Sequence, residues 1–290
     1  MRASICLAAS LAVTATSAAC PASGRIQCPI VLSGQVPASM QLTDFDTAAT
    51  NKIFNAGNVK ASGIPWSQIL KFPNVNVTTA NSRFDNASFK SVEVTIADAS
   101  VFKTQYGFRR AGLQLLGDAN TGGPGAVGVR TVHWSVQQDP ARRLNLTHEY
   151  QNVWHETADY GANQFDFKMG TLLDRPASDK DAMKITNRKG EVVWSTPVEA
   201  AGWQNFAVRL DFEKNTMQVY YSKGLAPLKQ VTSALPNDNS GEGQYQIGML
   251  KKPTGTDDVV NSGYQESGID EGQIYGGIFI EDSAGGCISL

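Results

Sequence analysis

The chain has 290 residues, a formal net charge of −2, and only 18% charged residues. That balance offers no basic surface for nucleic acid. Past the N-terminus no run is long and apolar enough to span a bilayer, so neither a nucleic acid nor a membrane is expected as a partner.

Met1-Arg2 is followed by an apolar run to Val13 and by small residues from Thr14 to Ala19. This is the pattern of a secretory signal peptide cleaved after Ala18 or Ala19. Residues 1–19 are expected to leave, and residues 20–290 to act outside the cell as a single domain and a monomer. Cys6 would leave with the signal, and Cys20, Cys28 and Cys287 remain. An oxidising route favours one disulfide and one leftover thiol. Cys28 with Cys287, tying the two ends together, is the favoured pair, and Cys20 with Cys28 is the competitor. Three sequons mark Asn76, Asn86 and Asn145 as glycosylation acceptors on such a route.

In chain order, Ile30-Val-Leu32 reads as a short strand, and Leu42-Thr-Asp-Phe-Asp46 follows a turn. Residues 51–90 read as long loops around Ile64-Pro-Trp66, with one helical turn at Ser67–Lys71. Strand patterns then recur. Val92-Glu-Val-Thr-Ile96 and Phe206-Ala-Val-Arg-Leu-Asp-Phe212 alternate cleanly. Met217–Tyr221, Tyr245–Leu250 and Ile274–Ile280 continue the series between turns such as Gly122-Gly-Pro-Gly125. No sustained helical periodicity follows residue 90, which argues against a parallel α/β sheet. The predicted fold is all-β, an antiparallel sandwich of jelly-roll type.

All three histidines fall between His133 and His155, and His148 and His155 each precede a glutamate. Histidine and glutamate are the usual proton-transfer groups near neutral pH. A zinc-protease motif is excluded, because it needs two histidines four apart on a helix. On a strand, strict alternation puts His148, Tyr150, Asn152, Trp154 and Glu156 on one face. Glu149, Gln151, Val153 and His155 share the other. Tyr150 and Trp154 make the first face the core face. The same parity turns Arg110, Gly112 and Gln114 outward, as it does His133, and Gln164 with Asp166. If these strands are neighbours, one concave surface carries Arg110, Gln114, His133, Glu149, Gln151, His155, Gln164 and Asp166, with Trp66 at its edge. Such amide- and guanidinium-rich surfaces suit sugar hydroxyls. No cluster of metal ligands stands out, and no cofactor is expected.

Phe108-Arg-Arg-Ala, Leu144-Asn-Leu-Thr-His-Glu-Tyr150 and Val153-Trp-His-Glu156 resemble the fungal glycoside hydrolase family 131. So do Ser240-Gly-Glu-Gly-Gln-Tyr-Gln-Ile247 and Ile274-Tyr-Gly-Gly-Ile-Phe-Ile-Glu-Asp282. The resemblance spans the mature chain and implies a secreted β-jelly-roll enzyme acting on β-1,3-, β-1,6- and β-1,4-glucans. It implies two glutamates, of which the Thr-His-Glu-Tyr match places one at Glu149, the expected principal acid/base. The other would lie in the strand after the paired arginines, where this chain has Ala111-Gly112-Leu113 and no carboxylate. Glycoside hydrolysis normally uses two carboxyl groups. Asp166 is then the expected second, with His133 assisting and Glu156 an ordinary sheet-end residue. Two other classes stay open. A polysaccharide lyase would use an Arg110/Gln114/His133/Tyr150 set, and a glucan-binding protein would have lost most catalysis with the missing glutamate.

Overall fold

A computed structural model describes residues 25–57, 59–73, 81–176 and 179–290. The expected signal peptide, Cys20 and the sequon at Asn76 lie outside the described residues. The longer strands, in chain order, begin with β1 (Ile30–Ser33), β2 (Val92–Ala97), β3 (Arg109–Leu113) and β4 (Val129–Gln138). Next come β5 (Glu149–Glu156), β6 (Asn163–Gly170), β7 (Ala182–Asn187) and β8 (Val192–Pro197). The series closes with β9 (Gln204–Asp211), β10 (Thr216–Lys223), β11 (Gln244–Lys251) and β12 (Asp270–Asp282).

They form two antiparallel sheets. The larger runs β10-β9-β4-β12-β2, with β1 added on β12 and short strands at both margins. The smaller runs β8-β7-β6-β5-β11-β3. Neighbours far apart in sequence, such as β5 with β11 and β4 with β12, are the long returns of a jelly roll. The all-β sandwich expected from the alternating segments is the observed fold. Among the described residues helix is confined to segments of five residues or fewer, one of them Trp66–Ile69.

Alternation explains the core. Val132, Trp134 and Val136 of β4 point between the sheets, as do Phe206, Val208 and Leu210 of β9. Phe165 and Phe167 of β6 meet them from the smaller sheet, and Trp134 stacks on Phe206 at 5.5 Å. The outer face of the larger sheet is also covered. Phe84, Ala207, Tyr220, Leu228 and Phe279 cluster there under the C-terminal segment. Cys28 is bonded to Cys287, with Cα atoms 5.9 Å apart, so the two ends are tied over that face.

Candidate active site

A groove of about 710 Å³ lies on the outer face of the smaller sheet. Its floor is built by the alternation of three neighbouring strands. Arg110 and Gln114 rise from β3 and the segment just after it, Gln244 and Gln246 from β11, and Gln151, Trp154 and Glu156 from β5. One wall is the loop holding Phe102, Lys103 and Gln105, and the other is the β5–β6 hairpin with Tyr160 and Asn163.

Strand β5 does not alternate strictly. Gln151 pairs with Lys168 and Val153 with Phe167, so Asn152 is an extra residue opposite the gap between them, a β-bulge. Before the bulge Tyr150 is in the core, and after it Val153 is. Every side chain beyond Asn152 therefore changes face relative to the simple pattern. Trp154 and Glu156, expected in the core, line the groove. His155, expected in the groove, is fully buried against Tyr245 and Phe212, its Nδ1 2.6 Å from Gln164 Oε1. Burial lowers the His155 pKa to about 4, so the ring is neutral at physiological pH. Gln164 follows His155 inward, because a second irregularity falls where His155 pairs with Phe165 and Glu156 with Asn163. Its amide donates to the carbonyls of Ser240 and Glu242, which anchors a loop and leaves nothing for substrate.

Three further residues lie away from the groove. His133 does point outward from β4, but β4 belongs to the larger sheet. Its Nε2 lies 2.9 Å from Glu281 and its ring stacks on Phe279 at 4.3 Å, far from the groove's strands. Alternation assigns a face within a sheet and is silent about which of two sheets a strand joins. Trp66 is a core residue, its indole N–H donating to the Ala56 carbonyl. Tyr150, needed by a lyase set, donates its hydroxyl to Glu271 Oε2 at 2.7 Å inside the protein. Arg110, Gln114, His133 and Tyr150 are thus not brought together.

The carboxyl groups differ sharply. Glu149 is 2% exposed, with Oε1 2.7 Å from Lys252 Nζ and 3.2 Å from Lys168 Nζ. Oε2 accepts the Leu173 N–H at 2.9 Å. Burial alone would raise its pKa, but Lys252 and Lys168 overcome that and hold it at about 2. A carboxyl kept ionised in this way is unsuited to donating a proton. Glu156 is the reverse. Burial raises its pKa above the ordinary range, nearby Asp166 adds to the rise, and Arg110 opposes it. Asp166 is raised by burial too, yet it accepts hydrogen bonds from Asn163 Nδ2 at 2.7 Å and Thr186 Oγ1 at 3.1 Å. Arg110 itself is lowered to about 10 by burial, over Trp154 at 5.7 Å. Gly112 turns toward the groove, where a Cβ would meet Gln246 Oε1 at 3.2 Å. That Gln246 oxygen is buried without a hydrogen-bond partner. Among the described residues no three His, Cys, Asp or Glu side chains gather as a cation site would need.

Glu156, Trp154 and Tyr160 are the residues that sequence reasoning missed. Gln244 and Gln246 were within its reach, since Tyr245 and Ile247 mark the core parity of that strand. Of the remaining sequons, Asn86 is exposed, while Asn145 Nδ2 donates to Glu266 Oε1 at 2.7 Å.

A catalytic domain of glycoside hydrolase family 131 from Podospora anserina, a β-glucanase, superposes with a TM-score of 0.70. It is 20% identical, over 90% of this chain and 97% of that one. The family 131 catalytic domain from Coprinopsis cinerea gives a TM-score of 0.69 at 22% identity, with the same coverage of 90% and 97%. A comparison with curated proteins finds no match. At these identities the two structures establish the fold. The sequence profile of the glycoside hydrolase 131 catalytic N-terminal domain matches residues 30–286, nearly the whole described chain, and the protein therefore belongs to glycoside hydrolase family 131.

Proposed function

We propose that this glycoside hydrolase cleaves β-glucan in the groove of its smaller sheet, with Glu156 as the proton donor. The observation that carries this reading is a protonatable carboxyl, raised by burial, opening into a groove lined by amides and a guanidinium. Glu156 protonates the departing glycosidic oxygen. Asp166, held by Asn163 and Thr186, is buried and set back from the groove's lining, and it serves as the second carboxylate, acting on water or on the sugar carbon. Glu149, named from the family resemblance, acts as an ion-paired support that fixes Lys252 at the groove's end. Secretion fits the N-terminal pattern and the Cys28–Cys287 bond.

Product analysis on laminarin, a β-1,6-glucan and a soluble cellulose derivative tests the reading. Plain reducing ends are expected, and Glu156→Gln should lower turnover by about 10²–10⁴-fold. Unsaturated products absorbing in the ultraviolet would select a lyase instead. Glucan binding without released sugar would select the binding protein. Full turnover in Glu156→Gln beside an inactive, folded Glu149→Gln would return the acid role to Glu149. Gly112→Glu adds a gain-of-function arm. The atom nearest its Cβ is the movable end of Gln246, and a second groove carboxylate should raise turnover by about tenfold or more.

A further inference from the structure

Five non-glycine residues among those described have left-handed backbone, and three of them, Val59, Lys103 and Tyr160, line the groove. The groove is lined by only 19 residues, so this is a marked concentration, drawn from three separate loops. Left-handed φ is unfavourable for side chains as large as tyrosine, and such strain persists where the surroundings hold it. At Tyr160, with φ of 60°, they do. Its N–H donates to the Thr157 carbonyl at 2.9 Å, and Asp159 Oδ1 accepts both the Thr157 hydroxyl and the Gly161 N–H. Asn120 Nδ2 donates to the Ala158 carbonyl at 2.9 Å, and the Ala158 N–H donates to Gly241, so two neighbouring loops pin the hairpin.

Folding has little to gain from the ring itself. Tyr160 is 69% exposed, whereas Trp154 and Phe108 on the floor below are buried. A large aromatic on a fixed backbone, open to solvent at the rim of an amide-rich groove, has the form of a stacking surface. Its apolar face matches the C–H face of a pyranose, and its rigidity limits the entropy lost on binding.

We propose that Tyr160 is the outer sugar-stacking platform of the groove. It carries a glucosyl ring on the hairpin side of the cleaved bond, and so sets the shortest chain that binds well. This rests on the β-glucan reading above and extends it to one subsite.

The experiment compares the wild type with Tyr160→Ala, Tyr160→Phe and Tyr160→Asn on glucan oligosaccharides of graded length. It measures KM and kcat, calorimetric Kd, and melting temperature. Tyr160→Ala and Tyr160→Asn should raise KM and Kd about three- to tenfold for long chains, the range expected of one aromatic contact. They should leave the shortest bound chain unaffected, and Tyr160→Phe should keep wild-type values. Tyr160→Asn should melt no lower than the wild type, because asparagine tolerates the left-handed region. Weakened binding is thereby separated from a damaged fold. A wild type that cleaves glucan while both variants keep the same length dependence overturns the proposal alone. If the wild type binds without cleaving, the Kd series decides it. A wild type that neither binds nor cleaves any of these glucans overturns both readings.

Discussion

Glu149 and Glu156 begin and end the same strand, and their surroundings drive their protons in opposite directions. Glu149 faces two ammonium groups within 3.2 Å, which outweigh its burial. Glu156 lies in a part-dry groove with one carboxylate neighbour and one guanidinium. Their pH signatures should therefore differ. The folded pKa of Glu149, about 2, is below the ordinary value of 4.5. A depressed carboxyl stabilises the fold above its unfolded pKa, and that stability is lost as pH falls toward the folded one. The shift corresponds to about 3 kcal/mol. Melting temperature measured from pH 5 to pH 2 should fall steeply in the wild type and less steeply in Glu149→Gln. Equal slopes would mean that the lysine pair does not stabilise Glu149. For Glu156 the readout is rate. Activity should persist above the ordinary glutamate range and fall as pH rises through the raised pKa, because the donor is then deprotonated.

Within β5 one residue controls the site. Asn152 is wholly buried, neither its amide nitrogen nor its oxygen has a hydrogen-bond partner, and its insertion turns Trp154 and Glu156 into the groove. Deleting Asn152 leaves Gln151 and Val153 in simple alternation, so Trp154 and Glu156 should stay in the groove and His155 inside. Activity that still falls on Glu156→Gln in the deletion background is the expected outcome. A folded deletion variant whose turnover is indifferent to Glu156→Gln would show that the faces are set elsewhere. At this scale the sequence was legible wherever strands are regular. Arg110, Gln114 and Gln151 do face the groove as parity required. It was illegible at β5 and at the start of β6, because a bulge leaves no mark in an apolar/polar pattern whose polar residues are buried on both faces.

Across the whole molecule the two outer faces do different jobs. The smaller sheet exposes the groove, while the larger is closed by Phe84, the C-terminal segment and the buried His133–Glu281 pair. Ser289 reinforces that closure, its hydroxyl donating to Glu281 Oε2 at 2.6 Å. The disulfide joins residues 259 positions apart across this closed face. Removing it, by reduction or by a double Cys28→Ala/Cys287→Ala substitution, should cost about 2–5 kcal/mol of stability. Sugar release at 25 °C should be unchanged, because the groove's strands belong to the other sheet. A loss of activity in the folded, reduced protein would show that the closed face supports the groove.

The sequence by itself determined the class of fold and the strand positions, and it favoured a tie between the ends that the structure forms. Fold class and strands follow from local alternation and turn residues, which act over short stretches, whereas three cysteines left two pairings open. It also carried the family, through strings long enough to be distinctive. Only the tertiary structure decided which carboxyl groups face the groove. His133 and Glu149 have the same outward parity yet sit on different sheets, and Glu149 and Glu156 share a strand yet have pKa values driven in opposite directions. Sheet membership, bulges and the approach of Lys168 and Lys252 are long-range outcomes of packing, and periodicity along one strand cannot encode them.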